Sequence, residues 1–298
     1  MNTPEPAVPY RTLPAAHLGD PTAPLRWLLT DLFLVGAAGI LGGAPKSGKS
    51  FFALELAVAV ASATAAAGRF AVPAPGPVLL CAADDPPAVV VQRLAALAAA
   101  RAQPLAALPV EVIVEPGVRL PDGLDRLAAT VARLTPRLLI LDPLIRLHRA
   151  DENSAAEMAV ILDGLRTLAR ATACAILLVH HTRKAPAGGI AGHGLRGSSD
   201  LHAFGDTNLR TSRKGPLCRL RSHITENWRG QPLVSHEVII QLIGGTSTKT
   251  GLKIRARLDK KPYPTGVKIS RAELRHMRIK PASFHGDWNY TIHPVQTT

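Results

Sequence analysis

Apolar and polar residues recur along this chain with two different periods. Short apolar runs bounded by Gly, Pro or Asp predict buried strands at 35–42, 78–82, 110–114, 138–142 and 173–179. Between them, apolar positions every three or four residues predict helices over 50–67, 88–101, 124–134 and 154–172. Residues 27–34 read as a short cover on the sheet edge, and 206–212 alternate weakly, as a strand does. Strands alternating with helices imply right-handed crossovers, so the expected fold is α/β, with a mostly parallel central sheet flanked by helices. Beyond about residue 216 this rhythm stops. There 236–243 reads as a helix, 252–258 as an alternating basic strand and 288–293 as a short terminal strand, together a loosely packed α+β fragment. The expected division is a disordered lead-in over 1–24 with six prolines, a main domain over 25–216 and a basic tail over 217–298.

One loop organises the main domain. Gly43-Ala44-Pro45-Lys46-Ser47-Gly48-Lys49-Ser50 fits the pattern G-x-x-x-x-G-K-[ST], between a predicted strand and a predicted helix. The glycines at 43 and 48 are expected to let the backbone bend so that its N–H groups face a phosphate, with the helix adding its positive end. Lys49 can reach the β- and γ-phosphates, and Ser50 can offer a hydroxyl to Mg²⁺. The implied ligands are ATP and Mg²⁺.

Other candidates fall at the ends of the predicted strands. Asp142 closes Leu138-Leu139-Ile140-Leu141, where a carboxylate beside a phosphate loop can hold Mg²⁺, commonly through water. Asp84 and Asp85 end the second strand, where one can orient or deprotonate an attacking water while the other caps the helix that Pro86-Pro87 begins. His180 and His181 end the strand at 173–179, and a polar group there can sense a γ-phosphate. Arg93 either reaches phosphate or pairs with a surface acid. Arg183, Lys184 and Arg196 border a glycine-rich stretch suited to nucleic acid or to ordinary solvation.

Composition narrows the picture. The hydrophobic fraction is 47% with only 4% aromatics, so the core is built from Ala, Leu, Val and Ile. Three widely spaced cysteines, Cys81, Cys174 and Cys218, suggest buried thiols in a reducing cytoplasm, not a disulfide frame or a metal site. No signal peptide and no membrane span is expected. The net charge is +13, and its distribution is uneven: residues 217–298 hold 14 Lys+Arg against 5 Asp+Glu, a net +9. Such a tail suits a polyanionic partner or a solubilising surface.

From about residue 25 to 215 the chain resembles the RecA-like AAA ATPases that include plasmid replicative helicases of the RepA type. The matching pieces are GAPKSGKS, AADDPP with Arg93 downstream, LLILDP, RLHRADENSA, LLVHH and LRGSS. The resemblance implies a RecA-like P-loop NTPase in a homo-oligomeric ring, often a hexamer, with ATP between subunits and single-stranded DNA as partner. It implies ATP and Mg²⁺ on Lys49 and Ser50, Mg²⁺ support from Asp142, a sensor at His181, an arginine near the site at Arg93, and a catalytic carboxylate at Asp84. The family has Glu where this chain has Asp84, so the base is one methylene short. Arg210 and Arg213 are the candidates for an arginine acting in trans. From about Arg219 onward, HITENWRGQPLVSHEVI, TKTGLKIRARLD, YPTGVKIS and FHGDWNYTIHP resemble the carboxyl end of insertion-sequence DDE transposases. No acid stands near Leu217-Cys218, where that family's last metal-binding Glu falls, so the tail lacks all three metal-binding acids. The expectation is a fusion. Its reading is a DNA-associated ATPase, with a nucleotide-binding module of little turnover and a transposase remnant as the alternatives.

Overall fold

The structure is a computed structural model. It describes residues 11–17, 19–20, 22–114, 118–181, 201, 204–214, 217–224, 237–243, 251–256 and 291–294, with backbone alone from residue 213 onward. A two-stranded antiparallel unit, β1 (Trp27–Leu29) and β2 (Phe33–Leu34), precedes the main sheet. There follow β3 (Ala38–Gly43), α1 (Lys49–Ser62), β4 (Val78–Ala82), α2 (Pro87–Ala99), β5 (Val110–Val112), α3 (Leu124–Leu134), β6 (Leu138–Asp142), α4 (Ala155–Thr172), β7 (Ala175–His181) and β8 (Thr207–Lys214). Four more strands complete the described chain: β9 (Leu217–Ile224), β10 (Glu237–Ile243), β11 (Gly251–Ala256) and β12 (Thr291–Pro294).

Six strands are parallel, in the order β5-β4-β6-β7-β3-β8. Their apolar residues are continuous instead of alternating with polar ones, because helices bury both faces. Along β6, Leu138 and Ile140 face a core shared with α1, α2 and the β1–β2 unit. Leu139 and Leu141 face a second core shared with α3 and α4. The helix ends are locally written. Pro87 opens α2, and Ser154 caps α4 by accepting the N–H of Glu157.

Two expectations need correction. The segment 236–243 is not a helix: Glu237–Ile243 is β10, paired on one side with β9 and on the other with β11. Its run Val238-Ile239-Ile240 is β-branched, and two partner strands supply its backbone hydrogen bonds. The helix expected over 50–67 ends at Ser62, with Ala63 in the left-handed region at φ 56°. The chain turns there because buried Glu55 accepts the N–H of Ala67 at 2.9 Å. The tail strands continue the main sheet, β9 pairing antiparallel with β8 at every position from Thr207 to Lys214.

Candidate functional site

The carboxyl ends of the parallel strands meet at the 43–50 loop. Lys46 and Gly48 take left-handed conformations, φ 61° and 89°, and Gly48 leads directly into α1. Gly48 therefore serves the bend expected of it. Gly43 serves another purpose: a Cβ there would stand 2.3 Å from Thr211 Oγ1 and 2.6 Å from Ser47 Oγ, so the residue is glycine for lack of room. Lys49 begins α1 and is 5% exposed. Its ammonium donates to the carbonyls of Gly43 and Ala44, at 2.9 Å each. Ala44, Pro45 and Lys46 are exposed at the mouth of the loop.

Side-chain alternation brings the strand-end groups to the same face. Leu138 and Ile140 point to the α1 side, so Asp142 does too, and Val179 places His181 likewise. His181 lies in register with Gly43, and so does Thr211 on the opposite flank. Asp142 is 7% exposed. Burial pushes its carboxyl up to about 6; a hydrogen bond with Ser50 opposes the rise, Asp85 adds to it, Lys49 lowers it, and Asp84 adds again. Two hard oxygen donors, the Ser50 hydroxyl and the Asp142 carboxylate, thus converge beside the loop, a set that suits a divalent cation with remaining positions left to phosphate and water. Among the described residues no group of three or more His, Cys, Asp or Glu could hold a metal.

The paired acids stand at the mouth of this site, each in an ion pair. Arg146, in the short turn after β6, donates to Asp84 at 2.6 Å, and both side chains are substantially exposed. Arg93 donates to Asp85, so the surface-acid reading of Arg93 describes its position. His180 faces the other side of the sheet from His181 and is buried, its Nδ1 3.5 Å from Glu152 Oε1. His148 Nε2 approaches the same oxygen at 3.9 Å, and burial lowers the His148 pKa. Cys81 and Cys174 are buried free thiols, pushed up by burial to about 11 and about 12, too high to supply a nucleophile.

Arg210 is half-buried on β8, one residue before Thr211, and the backbone of Arg213 lies in the same strand. Arg183, Lys184 and Arg196 lie outside the described residues. Sequence reasoning missed Thr211, Arg146 and Glu152. The alternation in 206–212 held the signal for Thr211, since it puts 207, 209 and 211 on one face. Arg146 and Glu152 lie in a segment without periodicity, and only the fold brings them to Asp84 and His180.

Comparison with known proteins agrees with this architecture. Residues 210–294 match the Rhodopirellula transposase DDE domain. Among solved structures the fold is similar to a helicase ATPase domain, with a TM-score of 0.51 at 15% identity, covering 68% of this chain and 80% of that one. The fold is thus RecA-like. Among the described residues no helix is long and apolar enough to cross a membrane. Residues 3–187 match the AAA domain family, well over half of the chain, and with the 43–50 loop seated among the strand ends of a RecA-like sheet the protein belongs to that family.

Proposed function

We propose that the protein binds ATP with Mg²⁺ at the 43–50 loop and hydrolyses it, as a DNA-associated motor of the replicative-helicase type. The observation that carries this is the convergence of Lys49, Ser50, Asp142 and His181 on one face at the carboxyl edge of the sheet. Mg²⁺, when bound, neutralises charge on the phosphoryl oxygens. The residues have separate tasks. Backbone N–H groups of 44–49 cradle phosphate oxygens. Lys49 exchanges its carbonyl partners for the β- and γ-phosphates, and Ser50 and Asp142 hold the cation. His181 senses the γ-phosphate. Asp84 orients the attacking water, and Arg93 holds neighbouring Asp85. Arg210 or Arg213 serves a neighbouring subunit in a ring, and Arg183, Lys184 and Arg196 contact single-stranded DNA.

A second reading has its own support. Asp84 is one methylene shorter than Glu and is held by Arg146, so a nucleotide-binding module with slow turnover is also consistent with the site. The test measures ATP hydrolysis with and without single-stranded DNA, alongside equilibrium binding of a fluorescent ATP analogue. Lys49→Ala is expected to lower hydrolysis by at least ~10²-fold. Hydrolysis unaffected by Lys49→Ala overturns the assignment. Tight nucleotide binding with no hydrolysis, with or without DNA, selects the second reading.

A further inference from the structure

The phosphate loop is not held by its own residues alone. Ser47 Oγ lies 2.7 Å from Thr211 Oγ1, and the two residues are 2% and 1% exposed. Thr211 Oγ1 also stands 3.4 Å from the carbonyl of Gly42, at the end of the strand that enters the loop. The pairing is close: besides Thr211 Oγ1, a Cβ on Gly43 would meet the Thr211 carbonyl at 2.8 Å. Loop and strand are therefore fitted to each other at one point. Ser47 lies between the two left-handed residues that shape the loop, Lys46 and Gly48. A hydroxyl anchored there fixes the turn whose N–H groups would face a phosphate.

Thr211 lies beyond the residues matched to the AAA domain and within those matched to the transposase domain. Its strand nevertheless runs parallel to β3, with Gly43 opposite Thr211. The same strand carries Arg210 one residue earlier and continues into β9.

We propose that Thr211 is a positioning residue of the phosphate loop: its hydroxyl anchors Ser47, and through that bond the filling of the loop is transmitted to β8. The inference rests on the nucleotide reading above. A buried hydroxyl pair of this kind is worth on the order of 1 kcal/mol, and stranding one partner costs as much or more. Removing the Thr211 hydroxyl should therefore weaken nucleotide binding about five- to tenfold.

The experiment uses the full chain and Mg·ADP, with hydrogen exchange read over 207–214 and affinity read by equilibrium titration. In the unaltered protein ADP should protect the β8 amides. Thr211→Val keeps a β-branched strand residue but removes the hydroxyl; it should weaken ADP binding and abolish the ADP-dependent protection of β8. Thr211→Ser restores the hydroxyl and should recover both. Ser47→Ala removes the bond from the loop side and should reproduce Thr211→Val, which keeps the test available if the core substitution impairs folding. A purely structural role would lower the melting temperature of Thr211→Val while leaving affinity and ADP-dependent protection intact, and that result overturns the proposal. An unaltered protein that binds no ADP overturns the nucleotide reading and this inference together. An unaltered protein that binds ADP, with Thr211→Val and Ser47→Ala binding equally well and protecting β8 alike, overturns this inference alone.

Discussion

At the scale of single residues the site is built on a buried acid whose proton affinity opposes folding. Asp142 takes its pKa of about 6 chiefly from burial. The sign follows directly. A carboxyl with an ordinary pKa near 4 when unfolded holds its proton more tightly in the folded state. Folding stability from this group is therefore full below about pH 4, falls as pH rises through about 6, and is level above it. The loss is on the order of 3 kcal/mol, and it is the cost of keeping an oxyanion where a cation would be bound. Asp142→Asn should remove it while keeping a carbonyl to accept from Ser50. Without nucleotide, the substituted protein is expected to melt higher at pH 7.5 and nearly equally at pH 4.5. Buried His148 pulls the other way, losing stability below its usual titration range, but it contributes equally to both proteins and drops out of the difference. Melting curves that run parallel from pH 4.5 to 7.5 would show that Asp142 carries no such burden. The identity of this acid was legible beforehand, because an apolar strand ending in Asp follows the loop at the expected distance. The ion pair of Asp84 with Arg146 was not, because 62 positions separate the two residues.

At the scale of elements, α1 and α2 are locked together by an ion pair in the interior. Glu55 is 0% exposed and accepts from Arg101, whose side chain is 3% exposed. Glu55 also takes the N–H of Ala67, and Arg101 donates to Thr64 Oγ1 at 2.7 Å and to the Leu97 carbonyl at 3.0 Å. Such a pair gives little net stability over an apolar replacement, but stranding one partner is costly. Glu55→Ala should lower unfolding free energy by about 3–5 kcal/mol, leaving a guanidinium in the core. Glu55→Ala combined with Arg101→Leu should lose clearly less. Urea unfolding of the two proteins checks this, and a double substitution as damaging as the sum of its parts would refute it. This lock also marks where sequence reading ran out. The periodicity that located α1 is a run of Ala, Leu and Val with no stop signal before Gly68. The helix ends earlier because a tertiary contact, the turn at 63–67 against Glu55, takes over. By contrast, the bounds of α3 were readable to the residue, since Gly123 precedes it and Thr135-Pro136 follows it. The β10 segment failed for the opposite reason. Its seven residues fit either period, and its pairing with β9 and β11 decides between them.

At the scale of the whole molecule, a chain with two family resemblances places one continuous sheet across them. The six parallel strands end at β8, and β9 covers the outer edge of β8 along its full length. β10, β11 and β12 add onward from β9 and pair with none of the six parallel strands. The consequences of losing the tail therefore depend on where the chain is cut. Stopping at residue 224 keeps every β8–β9 pair. Stopping at 216 strips them and leaves an unpaired edge on the strand that supplies Thr211. The first truncation should melt within a few degrees of the full chain, because a strand stacked outward from β9 supports little of the parallel core. The second should melt roughly 5–10 °C lower, as expected for a loss of a few kcal/mol in a domain of this size. Because β8 touches the loop through Thr211 and Ser47, the second should also bind Mg·ADP more weakly than the first. Thermal unfolding and nucleotide titration of the two truncated chains decide the matter. If both match the full chain, the tail is an appendage to a core that ends at β8. If only the cut at 216 fails, the strand following the parallel sheet is part of what shapes the loop, whatever the origin of its sequence.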